Sequence, residues 1–228
     1  MRRSGSAENR TARMKIVSVN VGLLREVGWK GITVQTAIFK KPAAGAVAIR
    51  ELNLAGDQQA DLTVHGGLKK AVYAYPAEHY EYWRKQLSNV SLSWGAFGEN
   101  LTTTGLAEDT LCIGDLLRVG SVVLQVTQPR MPCYKLELKF NRDDMIKRFL
   151  RSGRSGFYFS VVERGYVAAE SKVEILDRDP DGVTVNDIVR LYLGHARDPE
   201  LLQRAMNVTS LPENWRTQLL LRSQEERR

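Results

Sequence analysis

The chain is poor in cysteine and histidine. Two cysteines, Cys112 and Cys133, in 228 residues exclude the disulfide framework of a small secreted domain. They also leave too few thiolates for an iron–sulfur cluster. The three histidines, His65, His79 and His195, contain no closely set pair of the kind zinc sites use. No apolar run approaches the roughly 18 residues a membrane helix needs. The start, "MRRSGSAENRTARMK", is basic but has no apolar stretch behind it, so it does not read as a secretory signal. There is no G-x-G-x-x-G dinucleotide fingerprint, no c-type haem motif, no internal repeat and no low-complexity tract. A reducing compartment is the default for such a chain, and a cytoplasmic location is the expectation.

What is present is an ordinary globular composition, 43% hydrophobic and 26% charged, long enough for a core without staples. The net charge of +7 is uneven. Residues 1–13 contribute +3 and residues 222–228 contribute +1, leaving only +3 for the body. Basic ends are a weak signal for nucleic acid, and the modest excess in the body suits a small anionic ligand as well.

The pattern is mainly β with helical insertions. Strands are expected at 14–22, 31–39, 45–52 and 70–75, then a helix at 76–87 with Pro76 in its first turn. Strand character returns at 97–103 and in a hairpin over 115–128 that turns at Gly120-Ser121. A helix over 141–152 with Asn141 as N-cap follows, and 156–167 and 171–178 close the strands. Many short strands with few helices between them point to a β-barrel rather than a βαβ sheet. After the turn "DRDPDG" three helices are expected. They are capped by Thr184 with Asp187, by Asp198 with Pro199, and by a Ser210/Glu213 box. The reading divides the chain into a disordered basic leader at 1–13, a barrel domain at 14–180, a three-helix domain at 181–222 and a disordered tail at 223–228.

Three segments carry chemistry. In "GDQQADLTVHGGLKKAVYAY" the Gly66-Gly67 pair lets backbone N–H groups approach an anion, with His65, Lys69 and Lys70 beside it. Taken alone, the segment reads as a polar loop with a structural histidine. "GAFGENL" embeds Glu99 and Asn100 among glycines and apolar residues, where their polar atoms need partners. "QPRMPCYKL" sets Cys133 at a strand exit, directly after a turn with two prolines, with Arg130 and Lys135 positioned to favour a thiolate. Cys112, in the apolar "TLCIGD", reads as an inert thiol. On local sequence alone Cys133 is balanced between a reactive and a buried role.

In this order and spacing, "GDQQADLTVHGG", "AVYAYPAEHYEYW", "FGENL" and "QPRMPCYKL" resemble the MOSC family, named for the C-terminal domain of molybdenum cofactor sulfurases. The resemblance is to its stand-alone bacterial YiiM-like subgroup, whose small three-alpha domain the tail is similar to. It spans roughly residues 15–222. It implies a MOSC-type β-barrel followed by that three-helix subdomain. It also implies that Cys133, in the "QPR-x-PC" pattern, gives its sulfur to molybdenum in a pyranopterin cofactor and is the catalytic residue. Around that cofactor the resemblance places Lys30, Asp57, His65, Gly66, Gly67, Asn100, Arg130 and Arg154. Molybdenum-ion binding and pyridoxal phosphate binding are further implied properties.

The implied activity is reduction of N-hydroxylated compounds, such as hydroxylaminopurines, to amines. The chain has no electron-carrying motif, so a separate flavin reductase is the expected donor. A homodimer is left open. Membrane and nucleic-acid partners are not expected. The competing readings are a cysteine hydrolase or sulfur carrier with Cys133 as nucleophile and His65 as base, a basic barrel that binds nucleic acid, and a zinc site of His65, His79 and Cys133.

Overall fold

The structure, a computed structural model, describes residues 14–60, 66–195 and 198–225. The leader at 1–13, the end of the tail at 226–228 and His65 therefore lie outside the described residues. The main sheet has eight strands: β1 (Lys15–Val21), β4 (Lys41–Pro42), β6 (Val72–Pro76), β7 (Leu101–Thr104), β8 (Leu116–Val119), β9 (Val122–Pro129), β10 (Phe157–Glu163) and β12 (Val173–Asp177). Their order is β12-β8-β9-β10-β6-β7-β1-β4. The β6–β7 pair is parallel and the other pairs are antiparallel.

The sheet closes on itself. Val173 N–H donates to Met14 C=O at 3.0 Å, Ile16 N–H to Ser171 C=O at 2.9 Å, and Glu170 N–H to Ile16 C=O at 2.8 Å. These bonds join the first strand to the chain entering the last, which satisfies backbone groups that an open edge would expose. Two small sheets lie outside this barrel: β2 (Arg25–Trp29) with β3 (Ile32–Thr36), and β5 (Val47–Ile49) with β11 (Gly165–Val167).

The helices fall into two groups. Outside the barrel wall lie α1 (Glu78–Gln86), α2 (Tyr134–Phe140) and α3 (Met145–Ser152). They bury an aromatic cluster that includes Tyr73, Tyr75, Tyr80, Trp83, Phe97 and Phe149. At the C-terminal end come α4 (Val185–Tyr192), α5 (Pro199–Asn207) and α6 (Glu213–Glu225). Their apolar residues, from Val185 to Leu219, belong to the same core as the barrel. Trp215 donates its indole N–H to Gln128 on β9 at 2.6 Å. No helix among the described residues is long and apolar enough to cross a membrane.

Several local expectations need correcting. The segment 31–39 is only partly strand, because Lys30 (φ 48°) and Gly31 (φ 82°) form the positive-φ turn of the β2–β3 hairpin. Pro76 ends β6 rather than opening α1. Residues 97–100 are not strand. Glu99 accepts from the backbone N–H of Gly95 (2.8 Å) and Phe97 (3.0 Å), so a side chain replaces ladder pairing there. Asn141 does not open the second helix of the pair. It closes α2 in the left-handed conformation (φ 50°, ψ 48°), a C-terminal role Asn performs well, and α3 begins after Asp144. Glu213 is the first residue of α6, so it cannot serve as the third-residue partner of a Ser210 box. The other two caps form: Thr184 and Asp187 exchange bonds, and the Asp198 carboxylate accepts from Leu201 N–H at 2.9 Å.

Candidate functional site

A cavity opens where the exit of β9 meets the loops after β3, β5 and α1. Its wall includes Thr36, Ala37, Ile38 and Lys40; Asp57 to Ala60; Lys70 and Tyr73; Phe97, Gly98 and Asn100; and Arg130, Met131, Cys133, Lys135 and Tyr158. Gly95 and Gly98 allow this assembly. Both have positive φ, and a Cβ on either would lie 3.0 Å from the 38–40 loop, from Lys40 C=O and Ile38 Cγ1 respectively.

Chain stiffness around β9 positions the sulfur. Pro129 ends β9, and Pro132 precedes Cys133, which is extended (φ −124°) at the entry to α2. Cys133 is half-buried, lines the cavity, and like Cys112 is in no disulfide. Three residues earlier, Arg130 is 6% exposed. Its guanidinium carbon sits 4.9 Å from the Phe149 ring centroid and 5.3 Å from that of Tyr73. Burial opposes its charge, but the neighbouring Tyr73, Tyr158 and Cys133 outweigh that and hold it protonated. Its Nη1 is buried and has no hydrogen-bond partner among the described residues. A buried N–H of a charged group left unbonded costs about 1–3 kcal/mol or more, so the geometry favours an anion or acceptor arriving from the cavity.

The carboxylate opposite is already committed. Asp57 accepts from Lys40 Nζ through a close contact, from Gly22 N–H at 2.8 Å and from Asn100 Nδ2 at 2.8 Å. Asn100 in turn accepts from Tyr73 N–H at 3.2 Å. Asp57 and Asn100 therefore act inside the wall, fixing Lys40 and the start of β6. Burial pushes the Lys40 ammonium below the usual lysine range, and Asp57 works against that shift. Lys135, 8% exposed, lines the cavity with no hydrogen bond or ion pair among the described residues. With Lys40, Lys70 and Arg130 it gives the described residues of the wall four cations against one carboxylate.

Behind the wall, Lys139 donates to Ile38 C=O at 2.8 Å and Gly95 C=O at 2.6 Å. Burial lowers it to about 7, and the nearby Lys40, Arg130 and Arg25 add to the shift against Glu99. Below pH 7 both folded and unfolded chains hold this proton. Between pH 7 and the ordinary lysine value only the unfolded chain does, so stability rises with pH across that window. Lys139→Met is expected to remove up to about 1.4 kcal/mol per pH unit of that slope. Denaturant midpoints of both proteins from pH 6.5 to 10, on the order of a half-unit apart, check it.

Of the residues singled out from sequence, Cys133, Arg130, Asp57 and Asn100 share this cavity. Gly66 and Gly67 do not line it, but Gly67 (φ 93°) opens the short 3-10 turn Leu68–Lys70 that puts Lys70 there. Lys30 stands at the hairpin tip, more than half exposed, bonded to Asp143 at 2.9 Å, and it takes no part in the cavity. Arg154 lies 3.9 Å over the Tyr82 ring and donates to Ser152 C=O, also away from the cavity. His79 pairs with Glu108 at 2.8 Å and shares no wall with Cys133. Among the described residues no three His, Cys, Asp or Glu side chains are placed to hold a metal ion by themselves. Lys40, Lys139 and Tyr73 were not picked out from sequence. "FKKPAAG" offers only a lysine pair before proline, and the value of Lys40 arises from Asp57, 17 residues away.

The model of the MOSC domain matches residues 61–174, half of the chain. YflK of Bacillus subtilis, described as uncharacterized, is 41% identical over 91% of this chain and 94% of its own. A protein named reductase from Gibberella moniliformis is 34% identical over 72% of this chain, which spans 29% of that longer protein. The crystal structure of YiiM from Geobacillus stearothermophilus superposes with a TM-score of 0.76 at 31% identity, covering 92% of this chain and 99% of that one. With its closed barrel, helical tail and these relatives, the chain belongs to the MOSC domain family.

Proposed function

We propose that this protein is an oxidoreductase that binds a molybdenum cofactor through Cys133 and reduces N-hydroxylated compounds to amines. One observation carries the reading. The Cys133 sulfur shares a cationic wall with Arg130, whose buried Nη1 has no partner among the described residues. The donor set fits the cofactor: a thiolate for a metal that accepts soft sulfur, and cations for a phosphate-bearing pterin. The walled space is about 100 Å³, below the roughly 300 Å³ of a typical ligand pocket. Most of such a ligand would therefore occupy the open mouth beside residues 58–60. The likeness to a protein named reductase supports the redox class.

When bound, the cofactor would supply a two-electron redox centre for removing the hydroxyl oxygen. The chain's own residues do the rest. Arg130, Lys40 and Lys135 would hold anionic groups, with Arg130 offering the bidentate geometry phosphate favours. Asp57 keeps Lys40 charged and fixed. Tyr73, Phe97 and Tyr158 wall off water, which strengthens the electrostatics inside. The overall conversion, R–NHOH with two electrons and two protons to R–NH2 and water, requires a separate reductase as donor. The hydrolase reading needs a base beside the sulfur, and its candidate, His65, lies outside the described residues.

The test uses protein made in cells that synthesise the cofactor and in cells that cannot. With reduced methyl viologen as donor, 6-hydroxylaminopurine should yield adenine only with the first preparation. Equal turnover by both preparations would refute the cofactor requirement.

A further inference from the structure

A second charged surface lies outside the cavity. Between α1 and α3 runs a groove of about 390 Å³ lined by Tyr82, Trp83, Gln86, Asp144, Lys147, Arg148 and Arg151. Asp144 is the one acid among the described residues of that lining, and it is consumed by Arg148 at 2.6 Å and Arg142 at 3.0 Å. Those arginines hold its carboxyl far below the usual range. Lys147 and Arg151 are exposed and carry no ion pair among the described residues. Arg154 caps one side, over Tyr82. The groove thus presents a net positive face.

Its floor connects with the cavity. Trp83, fully buried, stacks on Phe149 with centroids 5.9 Å apart and ring planes 12° apart. Phe149 lies 4.9 Å from the Arg130 guanidinium on the cavity wall. Two ring contacts therefore link the cationic groove to the proposed cofactor site. Here α3 faces both ways, with Phe149 inward and Lys147 and Arg151 outward.

We infer that the α1–α3 groove is the docking surface for an acidic flavoprotein that delivers the electrons, an inference that rests on the oxidoreductase reading above. Complementary charge of this kind steers association and fixes orientation. Per turnover one reduced flavin becomes oxidised. Its two electrons and two protons break the N–O bond of R–NHOH and form one N–H and one O–H bond, giving the amine and water. Single-stranded nucleic acid fits the surface less well, because base stacking needs exposed rings. Trp83 is buried and Tyr82 is already covered by Arg154.

Binding is measured directly, without cofactor, by calorimetry against oxidised flavodoxin, an acidic FMN protein. Lys147→Glu with Arg151→Glu should weaken binding about tenfold or more, and raising salt from about 50 to about 300 mM should weaken the wild type similarly. Arg118→Glu, on β8 and outside the groove, should change it little. With loaded protein, the double variant should keep viologen-driven turnover and lose flavodoxin-driven turnover. Unchanged flavodoxin binding in the double variant would overturn the inference. So would an equal loss in Arg118→Glu, or loss of oligonucleotide binding in place of flavodoxin binding. Absence of viologen-driven turnover in the wild type would refute the catalytic reading alone, and the binding comparison would still decide the surface.

Discussion

Cys133→Ser, purified from cofactor-making cells, is expected to lose about a hundredfold or more of viologen-driven reduction, because a serine hydroxyl is a harder ligand that does not ionise at neutral pH. The substitution is nearly isosteric at a half-buried, extended position that bears no part of the core, so the fold should be unaffected. Cys112→Ser is the control. That thiol lies beside a bridge to Thr184 and is pushed up by burial and by Asp115, away from the cavity wall. Activity should survive there. Equal losses in the two variants would mean that the sulfur at 133 has no special role. A hydrolytic activity that needs Cys133 but no metal would favour the nucleophile reading instead.

Asp57→Asn should destabilise the fold by about 3–5 kcal/mol, the usual cost of stranding one member of a buried ion pair. The Lys40 and Asp57 side chains are 8% and 1% exposed, so water cannot replace the lost carboxylate. Asparagine could still accept from Gly22, but Lys40 would lose its countercharge. Denaturant unfolding at pH 7 gives the number. Two further results separate charge from packing. Adding Lys40→Met should recover much of the loss, which is a coupling energy between the two sites. The deficit of the single variant should also shrink at high pH as Lys40 gives up its proton. A loss under about 1 kcal/mol would show that the pair is solvated and that Asp57 does not organise the wall.

The difference between legible and hidden parts follows from chemical range. The hairpin of β8 and β9 was legible because β-branched runs flank Gly120-Ser121, and Gly120 indeed has φ 60°. Helices α4 and α5 were legible because their caps act within three residues. Helix α2 was missed because "PRMPCYKL" reads as turn through its prolines, although the residues after Cys133 are good helix formers. Asn141 was read as a start when it is an end, since Asn serves both roles. In the site, motif resemblance pointed to Cys133 and Arg130. It could not show that Asp57 and Asn100 are spent on Lys40 and the Tyr73 backbone, because those bonds join segments 17 to 43 residues apart. Lys30 and Arg154 illustrate the converse. Their side chains are claimed by Asp143 and Tyr82 on the protein surface, which no linear pattern reveals.

The central claim is that one sulfur and one buried guanidinium form a cofactor site. Anaerobic purification from cofactor-making cells, followed by molybdenum analysis and fluorescence of the oxidised pterin, tests it most directly. Near-stoichiometric metal and pterin in the wild type and in Cys112→Ser, with the metal gone from Cys133→Ser, is the expected result. A wild type free of pterin, or a Cys133→Ser protein that keeps its molybdenum, would contradict the account.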